Sequence, residues 1–304
     1  MEIVVTGATG FIGRELVARL LARGDSVVAL ARDPEKARGR LLEKVEIMAW
    51  SPDEPNGEWA ARVAGVNAVV NLAGEPVADK RWTSSQKERI LGSRLNSTRA
   101  VVDAFKGASR PGRVLVNGSA IGYYGPRGDE TLTEESASGG DFLACVVVRW
   151  EEQAARAQEQ GVRVVLIRTG IVLGTTGGTL PKLMLPFKLF AGGVMGPAGQ
   201  WVSWIHIDDE IGLILKSLDD ASISGPVNAT GPIPVPMAEL SRAIGRALKR
   251  PVWAPCIPLA MKLALGERSQ VLFASQRVEP QVALTAGYKF LYQDVDIALA
   301  ALVS

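Results

Sequence analysis

The chain has 304 residues, 47% hydrophobic and 22% charged, with a formal net charge of +2. That suits a packed globular protein of one large α/β domain, or a main lobe with a smaller appendage, and excludes a disordered or fibrous chain. The small net charge supplies no field to gather nucleic acid or an anionic membrane, and no stretch approaches the roughly 18 apolar residues of a spanning helix. Met1 leads straight into the first predicted strand, so no signal peptide is expected. Cys145 and Cys256 are the only cysteines and neither sits in a Cys-x-x-Cys pair, which argues against a disulfide framework or a zinc site and suits a cytoplasmic setting. His206 is the sole histidine, so no metal centre and no Ser-His-Asp triad are expected.

Residues 3–5 are β-branched and apolar without alternation, which predicts a strand covered on both faces. Gly7, Gly10 and Gly13 follow, then an amphipathic helix over 11–21 and a second strand over 26–31. Glycines in such a turn let a pyrophosphate approach the main chain and bring the helix close to the sheet. Phosphates then meet the free N–H groups at the helix N-terminus, where the dipole favours negative charge. This strand–turn–helix–strand context predicts a dinucleotide site built from Gly7, Thr9, Gly10, Phe11, Ile12 and Gly13. Arg32 comes directly after the second strand, where an NAD site usually has an acid and an arginine accommodates a 2′-phosphate, so the cofactor expected is NADP(H). Asp33, before Pro34, is expected to cap the next helix.

A third strand is predicted over 45–48 and a fourth over 68–72, ending in Asn71-Leu-Ala-Gly74, whose small side chains would let the backbone lie along the adenosine-ribose half of the cofactor. A long helix over 84–105, a fifth strand over 113–116, a helix over 141–158 stopped by Gly161 and a sixth strand over 163–167 complete the alternation. The pattern predicts a Rossmann-type, doubly wound parallel sheet with right-handed crossovers. Past Gly170 come a loop over 174–178, a helix over 180–190, a glycine-rich stretch over 192–202, a helix over 207–218 and a late strand over 225–229. Prolines 232, 234, 236, 251, 255 and 258 punctuate short helices beyond. The expected division is a dinucleotide-binding domain over 1–230, with 171–205 contributing to the substrate cleft, and a small, mostly helical lobe over 231–304 capping it.

Together these elements resemble the extended short-chain dehydrogenase/reductase superfamily. Thr6-Gly-Ala-Thr-Gly-Phe-Ile-Gly13 is similar to its glycine signature, Asn71–Gly74 to its fourth-strand motif, Asn96 to its helix asparagine, and Trp204-Ile-His-Ile-Asp-Asp209 to its late His-x-Asp-Asp segment. A narrower resemblance is carried by Gly74-Glu-Pro, Ala120-Ile-Gly-Tyr-Tyr-Gly125, Trp150-Glu151, Arg168-Thr-Gly-Ile-Val-Leu-Gly174 and a tail containing Leu265-Gly-Glu267 and Ser275-Gln-Arg-Val278. These look like the atypical epimerase-family oxidoreductases, described as NAD-dependent epimerase/dehydratase-like, with a family-specific C-terminal domain. The resemblance implies NADPH binding and carries over Ala31, Arg32, Leu72, Ala73, Glu88, Arg94 and Val172 as contacts.

One feature departs from the superfamily. Its reductases use a tyrosine as acid/base with a lysine four residues on, which favours the phenolate. Four residues beyond Tyr123, Tyr124, Tyr288 and Tyr292 stand Arg127, Gly128, Tyr292 and Asp296, and Phe142 opens the helix where the dyad belongs. Ser119, Tyr123 and Tyr124, after the fifth strand, are the candidate proton donors; the alternatives are a turn residue for Ser119 and packed aromatics for the tyrosines. Cys145 on an apolar helix is expected to pack as a small hydrophobe. His206 is expected to fix the start of the helix at 207, with Asp208 and Asp209 complementing its dipole. Trp201 and Trp204 read as core aromatics, and Asp129, Glu130, Glu134 and Glu135 as a solvated loop. The tract Lys80-Arg81 with Lys87, Arg89 and Arg94 reads as a cationic helix face rather than a nucleic-acid patch.

The functional expectation is hydride exchange between NADP(H) and a small carbonyl or sugar-like molecule, by a monomer or homodimer with neither nucleic-acid nor membrane partners. The alternatives are a non-catalytic NADPH-sensing module and a nucleotide-sugar epimerase.

Overall fold

The computed structural model describes residues 1–55, 57–106, 111–253, 266–268 and 273–303. Cys256, prolines 255 and 258, and Leu265 of the family-like tail lie outside the described residues. Strands β1 (Glu2–Thr6), β2 (Ser26–Ala31), β3 (Glu46–Ala49), β4 (Ala68–Asn71), β5 (Val114–Ala120), β6 (Arg163–Thr169) and β7 (Gly225–Ala229) form one sheet. Its order is β3-β2-β1-β4-β5-β6-β7 and every neighbouring pair is parallel. The order reverses between β1 and β4, and the crevice beyond the carboxyl ends of those two strands is where open sheets of this kind take ligands.

The helices are α1 (Phe11–Ala22), α2 (Pro34–Arg38), α3 (Glu58–Gly65), α4 (Ser84–Ala104), α5 (Phe142–Ala155), α6 (Leu180–Lys188), α7 (Ile207–Asp219), α8 (Met237–Leu248), α9 (Gln281–Thr285) and α10 (Val295–Val303). Pleat alternation divides the strand side chains between two layers. Ile3, Val5, Val116 and Ile167 pack with Leu16 and Leu20 of α1 and Ile211 and Ile214 of α7. Val4, Val69 and Leu115 face the other way, onto Trp59 of α3, Val101 of α4 and Ala154 of α5. Strands buried on both faces have no polar side to alternate with, which accounts for the unbroken apolar run of the first strand. A third cluster joins α6, α8 and α10 through Phe187, Leu240, Ile244 and Leu299, so the C-terminal region is helical.

The helix starts are capped much as the sequence suggests. Asp33 accepts the Lys36 N–H at the start of α2, with Pro34 in the first turn. Thr83 caps α4 and Asp141 caps α5. The Nδ1 of His206 accepts the Asp208 N–H at the start of α7, and its ring stacks on Tyr292 at 3.8 Å. Asp209 is fully buried, accepting the Leu291 and Tyr292 N–H groups at 2.8 and 3.0 Å, and so ties the C-terminal region to α7.

Three expectations are corrected. Glu134 is not solvated: it is buried, and its Oε1 accepts the N–H groups of Asn228 and Val282, the backbone donors that draw a carboxylate inside. Cys145 is exposed, on the outward face of α5, rather than packed. The fifth and sixth strands run on past their predicted ends, to Ala120 and Thr169. Asn117, Ser119, Arg168 and Thr169 among the added residues are polar, and the sheet carries these four because each finds a buried partner.

Candidate functional site

A cavity of about 660 Å³ opens at the carboxyl ends of the central strands. Its first wall is the glycine turn. Gly7 has φ +67°, and a Cβ there would lie 2.7 Å from the Leu72 carbonyl; one at Gly13 would lie 2.2 Å from the Gly7 oxygen. These two glycines are therefore required by the chain's own packing. Gly10 differs: its one close neighbour is the Gly7 oxygen at 3.1 Å, and its exposed side faces the cavity. Gly10 is also the N-cap of α1, which has no side-chain cap and no acid in its first turn. The helix thus offers unshielded N–H groups and the positive end of its dipole to whatever occupies the cavity. Phe11 anchors the other rim: a Cβ at Gly174, Gly177 or Gly178 would approach its side chain to 2.5–2.9 Å, so the 174–178 loop lies directly on it.

The structure brings together most of the residues expected to hold a dinucleotide. Gly7, Gly10, Phe11, Ile12, Gly13, Leu72, Arg94 and Val172 line the cavity. Thr9 lies half-buried within the turn. Ala73 and Gly74 follow β4; the Ala73 N–H donates to Thr6 Oγ1 at 3.2 Å, and a Cβ on Gly74 would press on the Arg94 guanidinium at 3.2 Å. Ala31 ends β2 beside the turn, and Arg32 is exposed just beyond it. Glu88 stands apart, exposed on α4 and outside the cavity wall. Arg94 is no part of a solvated cationic face. It donates to the carbonyls of Glu75 and Ile90 and lies over the Trp150 ring at 5.1 Å, and burial pushes its pKa down to about 10 while Glu75 acts against this.

Beneath the cavity a buried polar network locks the central strands to the helices. Thr6 donates to Asn71, Asn71 donates to Asn117 and Thr98, and Trp150 donates to Thr98, all within 2.6–2.9 Å. Of the candidate proton donors, Ser119 lines the cavity; its hydroxyl donates to Glu151 at 2.5 Å. Arg168 grips the same carboxylate in a bidentate pair at 2.9 and 2.8 Å. Tyr123 and Tyr124 end a short 3-10 turn whose first residues, Ile121 and Gly122, line the cavity, while neither tyrosine does. Tyr124 is fully buried, donating to Asn228 at 2.7 Å and accepting from Arg168 at 3.0 Å; burial pushes its pKa up to about 12. Tyr123 lies against the Arg168 guanidinium at 3.5 Å.

The face of α5 turned to the cavity carries Leu143, Val146 and Val147, while Phe142 packs edge-on against Trp82. The pair spaced four residues apart beside Ser119 is thus Leu143 and Val147, neither of which exchanges a proton. Residues 171–205 supply Ile171, Val172, Thr179, Lys182 and the run Gln200–Ser203 to the wall, and Ala274 and Gln276 enter it from the C-terminal region. Trp201 also lines the cavity and donates to Asp129 at 2.7 Å, whereas Trp204 is fully buried. Sequence reasoning missed Glu151, Arg168, Thr169 and Glu210 as site groups. The first three stand within family-like motifs, but nothing in the string Asp208-Asp209-Glu210 tells which acid turns inward.

The model of the NAD dependent epimerase/dehydratase family matches residues 3–229, and that of a domain of unknown function (DUF1731) matches residues 258–302. The chain belongs to the NAD dependent epimerase/dehydratase family. This epimerase-family chain is 42% identical over its whole length to a chloroplastic SDR39U1 homolog, an epimerase family protein of Arabidopsis thaliana, covering 87% of that protein. It is 36% identical, again end to end, to the epimerase family protein YfhF of Bacillus subtilis, covering 98% of it. Among solved structures, the human epimerase family protein SDR39U1 with NADPH superposes with a TM-score of 0.87 at 29% identity, covering 100% of this chain and 99% of that one. UDP-glucuronic acid 4-epimerase from Bacillus cereus in complex with NAD has a TM-score of 0.79 at 16% identity over 100% of this chain and 96% of that one, a likeness of fold alone. The family member described here has the NAD(P)-binding extended short-chain dehydrogenase/reductase fold. No helix among its described residues is long and apolar enough to cross a membrane.

Proposed function

We propose that this chain is an NADP(H)-dependent oxidoreductase that exchanges hydride with a small carbonyl or sugar-like molecule without a Tyr-x-x-x-Lys dyad. The observation carrying the reading is the uncapped start of α1, which meets the cavity across Gly10, the turn glycine least crowded by the chain's own packing. The pyrophosphate would lie on the N–H groups there, with the adenosine ribose along Leu72–Gly74. Arg32 would take the 2′-phosphate, since Asp33 is occupied in capping α2. The NADPH bound in the human SDR39U1 structure supports the choice of cofactor. The nicotinamide would then reach the strand ends near Ser119 and Val172, with the substrate beyond it between α5 and residues 171–205. In this reading residues 1–230 hold the cofactor, residues 231–304 cap the cleft, and the protein works in the cytoplasm, where an exposed Cys145 stays reduced.

Calorimetry with NADPH and NADH tests the cofactor; tighter NADPH binding is expected, and indifference to both nucleotides would overturn the reading. Nicotinamide absorbance with benzaldehyde, diacetyl and glyceraldehyde tests the chemistry. The apolar Leu143 and Val147 favour a second reading, a binding module that senses NADPH. That reading expects tight binding, no consumption with any of the three carbonyls, and a partner whose affinity follows the cofactor's redox state.

A further inference from the structure

Two hydroxyl groups meet the cavity at the ends of neighbouring strands, each backed by its own carboxyl. Register sets Ser119 beside Arg168 and Ala120 beside Thr169, so Ser119 and Thr169 turn to opposite faces of the sheet. On the α5 face, Ser119 gives its only proton to Glu151, a carboxylate already paired with Arg168, and so meets a ligand as an acceptor. On the α7 face, Thr169 Oγ1 lies 2.8 Å from Glu210 Oε1. Glu210 is fully buried, and its Oε2 has no hydrogen-bond partner among the described residues. Asp208 and Asp209 precede it in the first turn of its helix and Tyr288 of the C-terminal region interacts with it, and none of these supplies a cation. An unpaired carboxylate is far costlier to bury than a carboxylic acid. Burial accordingly pushes the Glu210 pKa up to about 8, against the Thr169 hydrogen bond.

We propose that Glu210 is the proton reservoir of this site and feeds the cavity through the Thr169 hydroxyl. The inference rests on the hydride-transfer reading given above. Hydride from the reduced nicotinamide forms the new C–H bond, and the carbonyl π pair moves onto oxygen. That oxygen takes the Thr169 proton, Thr169 Oγ1 takes the proton of the neutral Glu210, and the products are an alcohol, oxidised nicotinamide and a Glu210 carboxylate. Solvent returns a proton to Glu210 through Thr169 once the alcohol has left. Once formed, the alcohol can turn its new O–H away from Thr169 towards Ser119, which accepts it. The Glu210–Thr169 pair thereby supplies the proton where a tyrosine and a lysine would otherwise act.

The test compares the full chain with Glu210→Gln and Thr169→Val, each shown by calorimetry to retain NADPH. The infrared spectrum of the NADPH-bound wild type at neutral pH should hold a protonated-carboxyl C=O band that disappears in Glu210→Gln and shifts in Thr169→Val. With whichever of the three carbonyls the wild type reduces fastest, both variants should lose about a hundredfold in kcat with little change in KM. The wild-type rate should fall as pH rises through about 8, and that limb should vanish in Glu210→Gln. Wild-type turnover without the carboxyl band, or a Gln variant that keeps both the rate and the limb, would overturn this inference alone. A wild type that binds NADPH yet reduces none of the carbonyls would remove the hydride reading and this inference with it.

Discussion

Arg32 and Glu151 show how differently a charge behaves inside and outside the fold. Arg32 is exposed, so its interaction with a phosphate is formed against water and survives only through geometry, two parallel N–H bonds to one anion. Replacing it with glutamate reverses the charge where the 2′-phosphate would lie and leaves the ribose hydroxyls of NADH a new acceptor. Arg32→Glu should weaken NADPH at least tenfold more than NADH, in line with the roughly 1.5–3 kcal/mol of a charged hydrogen bond; equal losses in calorimetry would remove the phosphate from this position. Glu151 is instead enclosed with Arg168, where the pair is worth little against an apolar replacement but much against a broken half. Glu151→Gln should cost on the order of 3 kcal/mol in denaturant unfolding through the stranded guanidinium. A change below about 0.5 kcal/mol, the range of ordinary surface substitutions, would mean that water reaches Arg168.

At the scale of elements, the glycine turn separates what folding needs from what binding needs. Gly13 must be glycine because its Cβ would strike the Gly7 carbonyl, whereas a Cβ at Gly10 would meet only the Gly7 oxygen, at 3.1 Å, a contact a small shift relieves. Gly10→Val should therefore leave the circular dichroism spectrum and melting curve close to wild type and abolish NADPH binding. Gly13→Val should destabilise the chain whether or not nucleotide is present. If Gly10→Val still bound NADPH at native affinity, the pyrophosphate would have to lie elsewhere. This turn, β1, β2 and the order of alternation were legible in the sequence because local rules, apolar runs and glycine spacing, decide them. The ends of β5 and β6 were not. Asn117, Ser119, Arg168 and Thr169 look like loop residues to any local rule, and they stay in strands because Asn71, Glu151 and Glu210 wait across the sheet. The inward turn of Glu134 escaped for the same reason, since its donors lie 94 and 148 residues away in sequence. The candidate site was thus legible on its phosphate side, where backbone shape decides, and illegible on its proton side, where long-range pairing does.

Over the whole molecule, the start of α7 gathers three buried groups, with the titration of His206 pulling stability one way and those of Asp209 and Glu210 the other. Burial lowers the pKa of His206 while Asp208 and Asp209 resist, so the folded state prefers the neutral ring. Its contribution is present above the ordinary value of 6.5 and is lost as pH falls below it. Burial raises the Glu210 pKa from 4.5 to about 8, so its contribution is present below 4.5 and declines as pH climbs towards 8. Just below pH 6.5 the histidine slope opposes that of the two acids, and above 6.5 the histidine no longer contributes a slope. Thermal or denaturant unfolding of the nucleotide-free chain should show stability falling from pH 6.5 to 8, part of a total Glu210 effect on the order of 4 kcal/mol. Glu210→Gln keeps a neutral side chain of the same shape, so it should be more stable than wild type at pH 8 and flat over that interval. Below pH 6.5 the same variant should uncover the histidine slope, losing stability with acid more steeply than wild type. A Gln variant that reproduced the wild-type slope between pH 6.5 and 8 would show that Glu210 is ionised in the folded chain and that the decline has another source.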